Sequence, residues 1–166
     1  MTRGAPRKNA ETNMDLADLI APEAVFPGLK AKTKKQALQE LAERAAKLTG
    51  LDARDILDTL LQRERLGSTG VGRGIAIPHG RIPALHNIVT VFARLDEAIE
   101  FEALDDEPVD LIFLLLAPEH AGADHLKALA RISRLLREPS SIEKLRASKG
   151  RAAIYSVLTE SAAHAA

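Results

Sequence analysis

The chain has 166 residues, 46% of them hydrophobic and 28% charged, with 23 basic and 23 acidic side chains and a formal net charge of zero. That length argues for one domain around one core, and the balanced charge excludes the broad basic footprint of a nucleic-acid binder. Cysteine and tryptophan are absent and aromatics reach only 3%, which excludes disulfides, thiolate chemistry, cysteine zinc sites and stacking platforms for single strands.

The N-terminus is basic, and no apolar segment follows it of the kind a signal peptide needs. Residues 1–12 are therefore read as a disordered extension, with the folded domain over 13–160 and a frayed tail at 161–166. A weak strand opens the domain. Thr33-Lys34-Lys35-Gln36 has capping-box spacing, and Leu38, Leu41, Ala45 and Leu48 recur behind it at helical period. Gly50 is placed to end that helix as a left-handed cap. Asp52 is placed to cap a second helix, with Ile56, Leu57, Leu60 and Leu61 on its apolar face and an end near Arg65.

The texture changes at Gly67, where four glycines fall within eight residues. Loop, a short strand over Ile75–Ile77, then a sharp turn at Pro78-His79-Gly80 is the expected course. Asn87 to Leu95 is rich in β-branched residues and reads as a strand. Glu100–Ala103 is weakly alternating and expected as a short edge strand. Val109–Leu116 is a buried strand; its apolar run is far too short to span a bilayer, so no membrane insertion is expected. Asp124 is expected to cap a helix over 125–137 with Leu126, Leu129, Ile132 and Leu136 inward, stopped by Pro139. Ser140 and Glu143 have capping-box spacing for another short helix, and a last helix is expected from about 151 to 160. Helices on both sides of a block of strands point to an α/β fold, a three-layer α/β/α sandwich with a central mixed sheet of about four to five strands.

The chemistry is concentrated in residues 63–81. Glycines let the backbone approach a ligand and expose N–H groups as an anion nest. Ser68 and Thr69 add hydroxyls, and Arg63 offers a forked cation that matches a phosphate. His79 lies between a restraining proline and a space-giving glycine, where an imidazole can attack phosphorus. Taken singly, such loops mostly turn corners, and a lone histidine after proline mostly has no catalytic role. The segment matches neither a Walker A loop, since no Gly-Lys-Ser/Thr follows the glycines, nor the dinucleotide fingerprint.

Taken together, Leu66-Gly67-Ser68-Thr69-Gly70-Val71-Gly72-Arg73-Gly74-Ile75-Ala76-Ile77-Pro78-His79-Gly80 resembles the active-site signature of the IIA domains of the bacterial phosphoenolpyruvate-dependent sugar phosphotransferase system. The likeness is to the fructose–mannitol class, and within it to the nitrogen-regulatory branch. It extends more loosely over residues 14–158 and includes a second histidine in Asp124-His125-Leu126-Lys127. The resemblance implies that His79 becomes phosphorylated, that His125 is a second active-site histidine and that Arg63 is the active-site arginine. Donors around Ser68, Thr69 and Gly70 would join Arg63 and His125 in holding the phosphoryl oxygens. It implies an HPr-like histidine phosphocarrier protein as donor. It also implies regulatory target proteins, with nitrogen metabolism and potassium homeostasis (kinases or potassium transporters) as themes, and a cytoplasmic location. The rival reading is a non-catalytic protein-interaction regulator on the same fold; a third, a phosphate-ester hydrolase, lacks an assignable general acid. His86 and His120 are expected as surface residues, and the spacing of His79, His86, His120 and His125 has no metal motif, so neither metal nor cofactor is expected. Arg73 and Arg81 flank the loop, either steering an acidic partner or lying idle on the surface.

Overall fold

The structure is a computed structural model that describes residues 15–165, with side chains to Glu160. The extension expected over residues 1–12 lies outside the described residues. Two 3-10 turns, Leu16–Asp18 and Pro22–Ala24, lead into strand β1, Val25–Leu29. Helix α1, Lys34–Thr49, begins where its sequence says. Thr33 Oγ1 accepts from the Gln36 N–H at 3.1 Å, and the Gln36 side chain accepts from the Lys32 N–H at 2.7 Å. It ends at Gly50, whose φ of 78° is the left-handed conformation expected there. Helix α2, Ala53–Arg65, starts on the Asp52 carboxylate, which accepts from the Arg54 N–H at 2.8 Å. Ile56 and Leu60 are fully buried beneath it.

The glycine-rich segment folds as a tight hairpin. Strand β2, Gly70–Gly72, runs antiparallel to β3, Ile75–Ala76, and the two residues between them are Arg73 at φ 60° and Gly74 at φ 79°. A two-residue hairpin turn with positive φ at both positions matches the twist of its strands. Pro78-His79-Gly80 is not the sharp turn expected. The chain continues along its neighbour, and His79–Ile82 forms strand β4. The reason lies in Pro78, which has no N–H for the ladder; its carbonyl still accepts from the Leu115 N–H at 2.9 Å, so pairing pauses without turning.

Strand β5 spans Val89–Ile99 and β6 spans Val109–Pro118. They pair antiparallel, with Phe92 opposite Phe113. The sheet order is β1-β5-β6-β3-β2, with β4 pairing the far end of β6 in line with β3. β1 is parallel to β5, and β3 and β4 are parallel to β6. The sheet is therefore mixed and has six strands rather than four or five, because the glycine-rich segment expected as loop contributes β2 and the chain beyond Pro78 contributes β4. Glu100–Ala103 forms no strand. The chain leaves the sheet after Ile99 and Glu102 adopts φ 57°, while Phe101 and Ala103 turn inward and are buried.

Every residue of β6 except Asp110 is buried, so both sheet faces are covered. Helices α1 and α2 pack together and reach β5 and β4. Helix α3, Ala123–Leu135, lies against β6; α4, Pro139–Ala147, packs on α5, Gly150–Ala165, which packs on β1. Asp124 does not cap α3. Gly122, at φ 54°, occupies the cap with no side-chain bond, and Asp124 sits in the first turn. Ile132 and Leu136 are buried and Leu129 packs partly buried on the core as expected, joined by His125, Ala128 and Leu135, while Leu126 is 65% exposed. Pro139 opens α4 instead of stopping α3, the usual use of proline at a first helical position, and Ser140 lies inside the helix rather than capping it. None of the described helices is long and apolar enough to cross a membrane.

Phe113 is fully buried at the centre of this core, its ring edge-on to Phe92 with centroids 5.7 Å apart. Phe113→Ala is expected to cost about 3–5 kcal/mol, read as a lower urea midpoint at unchanged denaturant slope.

Candidate functional site

The site forms where α2, β4 and the start of α3 meet. Gly80 makes the approach possible. A Cβ built there would lie 2.6 Å from the Thr59 methyl on α2. Without that atom α2 rests close against β4, and Arg63, one turn beyond Thr59 on the same helix face, reaches His79.

The His79 ring is held at both nitrogens. Nδ1 lies 2.8 Å from the Ile77 carbonyl oxygen. A carbonyl only accepts, so Nδ1 carries the proton in the neutral ring and Nε2 keeps its lone pair. The Arg63 Nε–H faces that lone pair at 3.4 Å, a long contact, while Arg63 Nη1 donates to the Gly67 carbonyl at 3.0 Å. The His125 ring stands edge-on to His79, with centroids 5.9 Å apart and planes at 70°.

His125 is the mirror case. Its Nδ1 accepts from Arg81 Nε at 3.2 Å, and Arg81 Nη1 also donates to the Glu119 carbonyl at 3.3 Å. The neutral His125 ring therefore carries its proton on Nε2, and that buried nitrogen has no hydrogen-bond partner among the described residues. Orphaned buried donors are uncommon and costly. Burial, and then the charges of His79 and Arg81, push the His125 pKa below its ordinary 6.5. The unfolded chain takes up this proton more readily than the folded one. Stability from this group is thus complete above about pH 6.5 and falls as pH drops below it, until the folded imidazole also protonates. Urea unfolding across that range is expected to show the loss, and His125→Gln to flatten it.

The three loop residues expected to face a phosphate have their donors engaged by other protein groups. The Ser68 hydroxyl donates to the Phe101 carbonyl at 2.8 Å and accepts from the Gly70 N–H at 3.0 Å. The Thr69 N–H donates to Glu64 Oε1 at 3.1 Å, and the Thr69 hydroxyl donates to Glu64 Oε2. The geometry thus brings His79, His125 and Arg63 together and commits the donors of Ser68, Thr69 and Gly70 elsewhere. Arg81, weighed in the sequence between a steering role and an idle one, is the partner of His125. The sequence carried no signal for this, because Pro78-His79-Gly80 read as a turn and the shared strand face of His79 and Arg81 appears only with β4. Arg73 serves the hairpin instead, its N–H on Asp105 at 2.9 Å and its Nη1 on the Arg137 carbonyl at 3.2 Å. His86 and His120 line a separate cleft with Asp18 and Asp124. Among the described residues no group of three His, Asp or Glu side chains is arranged to hold a metal ion.

Exposed apolar side chains border the site along the chain. Leu66 follows the end of α2 and is 84% exposed; Leu126 adjoins His125. Val71 and Leu104 are also exposed and are joined through the Leu104 N–H to Gly70 carbonyl bond of 3.1 Å.

Residues 18–161 match the family "Phosphoenolpyruvate-dependent sugar phosphotransferase system, EIIA 2", and the chain belongs to that family. Within it the likeness is to nitrogen-regulatory members. The chain is 63% identical over 145 residues to the nitrogen regulatory protein of Bradyrhizobium diazoefficiens, covering 87% of this chain and 95% of that one. It is 35% identical over 153 residues to the nitrogen regulatory protein of Escherichia coli, covering 92% and 94%. Among solved structures, the nitrogen regulatory protein IIA-Ntr of Neisseria meningitidis superposes with a TM-score of 0.83 at 31% identity, over 87% of this chain and 99% of that one. The mannitol IIA protein of Escherichia coli, solved also in complex with phosphorylated enzyme IIB, superposes with a TM-score of 0.71 at 25% identity, over 84% and 98%.

Proposed function

We propose that this chain is a phosphohistidine carrier of the nitrogen-regulatory phosphotransferase system. It works in the cytoplasm, accepts a phosphoryl group on His79 from an HPr-like histidine phosphocarrier protein, and regulates partner proteins according to its phosphorylation state. One observation carries the reading: Nδ1 of His79 is tied to the Ile77 carbonyl while the Nε2 lone pair faces the Arg63 Nε–H, with the His125 ring edge-on to the His79 ring.

The transfer follows from those atoms. The Nε2 lone pair attacks phosphorus as the donor's N–P bond breaks and its electron pair returns to the donor imidazole. Positive charge then grows on the His79 ring, and the Ile77 carbonyl faces the N–H that carries it. Arg63 and the His125 Nε2–H supply donors for the phosphoryl oxygens. Phosphoryl transfer asks chiefly for such positioning and charge compensation. A neutral His125 suits this work, since it donates a hydrogen bond without adding a cation that would hold the phosphoryl group too firmly to pass on. Phosphorylation adds close to two negative charges at one spot, and exposed Leu66 and Leu126 follow Arg63 and His125 along the chain, which fits a surface read by partner proteins.

The test is incubation with phosphoenolpyruvate, the first enzyme of the system and its histidine carrier, followed by intact mass. Gain of one acid-labile phosphoryl group is expected. No gain with a donor pair competent toward another acceptor would overturn the carrier reading in favour of an interaction regulator.

A further inference from the structure

Glu64 has no part in the transfer as proposed, yet its carboxylate is nearly buried, with 6% of the side chain exposed. A carboxylate close to a phosphoryl site repels the incoming group and calls for a reason. Its bonds supply one. Oε1 accepts from Lys34 Nζ at 2.8 Å and from the Thr69 N–H at 3.1 Å, and Oε2 accepts from the Thr69 hydroxyl. Thr69 is itself buried. Its carbonyl accepts from the Ile77 N–H at 2.9 Å, and the Ile77 carbonyl faces Nδ1 of His79 at 2.8 Å. An unbroken run of bonds thus leads from Lys34 through Glu64, Thr69 and Ile77 to the ring.

We propose that Glu64 is a positioning residue: by clamping Thr69 it holds the Ile77 peptide in the place that fixes the Nδ1–H tautomer of His79. This rests on the reading that His79 accepts the phosphoryl group through Nε2. A free histidine side chain favours its proton on Nε2, which would put the lone pair on the wrong nitrogen. Only an acceptor without a proton of its own, held against Nδ1, enforces the reverse. The Ile77 carbonyl is that acceptor, and its peptide needs an anchor because the next residue is proline, without an N–H. The Ile77 N–H is the remaining donor, and it goes to Thr69. A carboxylate suits the clamp because it accepts only, so the Thr69 hydroxyl has to donate, and because charge-assisted bonds are shorter and stronger than neutral ones. Lys34 offsets the negative charge that would otherwise oppose the phosphoryl group.

The test reads the tautomer directly, from ring nitrogen-15 chemical shifts of His79 in the full chain, alongside the rate of phosphoryl gain in the phosphoenolpyruvate-driven assay. Glu64→Ala is expected to shift the ring from Nδ1–H toward the Nε2–H form and to slow phosphoryl gain roughly tenfold to a hundredfold, the scale of a small misplacement of a reacting group. Glu64→Gln keeps one acceptor and is expected to fall between. Thr69→Val keeps shape and backbone bond while removing the hydroxyl bond, and is expected to move the tautomer the same way if Glu64→Ala fails to fold. A folded Glu64→Ala, or in its place Thr69→Val, with His79 still fully Nδ1–H would overturn the proposal, whatever happens to the rate. A shifted tautomer in variants of a chain whose wild type takes no phosphoryl group would uphold the positioning role and defeat the functional reading instead.

Discussion

His79→Gln is expected to yield a folded chain that gains no acid-labile phosphoryl group from a competent phosphocarrier. In the wild type, phosphorus–nitrogen coupling is expected to place the group on Nε2. Both halves come from the same geometry. Nδ1 is 2.8 Å from a carbonyl that cannot give up a proton, so that nitrogen has no lone pair to offer, while Nε2 has only the long Arg63 contact at 3.4 Å in front of it. Glutamine has similar bulk and places its amide near the Nε2 position, so packing is largely conserved and loss of label reports loss of the nucleophile. The measurement is intact mass before and after mild acid, with circular dichroism to establish folding. Label retained on the variant would transfer the acceptor role to another residue, with His125 the first to examine. Label on Nδ1 of the wild type would mean that the Ile77 bond breaks before reaction.

Much of this fold follows from local rules applied to the sequence. The two N-terminal helices begin and end where Thr33, Gly50 and Asp52 place them, because caps are satisfied by atoms within a few residues. β5 and β6 follow from apolar and β-branched runs. The misses share a cause, which is tertiary competition for groups that local pattern leaves free. Glu100–Ala103 alternates like a strand, but Phe101 is drawn fully into the core and its carbonyl is taken by Ser68 from 33 residues away. Asp124 looks like a cap, but Gly122 with its positive φ turns the chain two residues earlier. The first turn then lies over the sheet with His125 on the inner face and Leu126 in solvent.

The site was legible in part for the same reason. His79 and Arg63 lie in one dense segment, and the motif resemblance names them together with His125. What local reading could not supply is which donors in that segment are already taken. Ser68, Thr69 and Gly70 have the composition of an anion nest, yet Phe101 takes the Ser68 hydroxyl, Glu64 takes both Thr69 donors, and the Ser68 oxygen takes the Gly70 N–H. Arg81 read as a flanking surface charge because nothing in the sequence places it against the first turn of α3. Pairing of β4 with β6, which delivers the chain to that turn, makes the contact.

Arg63→Met is expected to lower the rate of phosphoryl gain by about two to three orders of magnitude, the cost of removing a preorganised donor from a developing oxyanion. Methionine retains most of the apolar stem, so α2 should keep its place against β4. At rest the guanidinium spans two acceptors, His79 Nε2 and the Gly67 carbonyl. In the proposed transfer, bonding of phosphorus to Nε2 would remove the first acceptor and free the Nε–H toward the phosphoryl oxygens, while the Gly67 bond would keep the group in position. Arg63→Lys separates charge from geometry. A lysine restores the cation but not the fork, and cannot bridge two acceptors in the same way. It is expected to recover only part of the rate. The check is single-turnover phosphoryl gain at saturating and subsaturating phosphocarrier. If the guanidinium acts on the reacting group, the maximal rate falls and the concentration for half-maximal rate changes little. A change confined to that concentration would assign Arg63 to docking the donor protein instead.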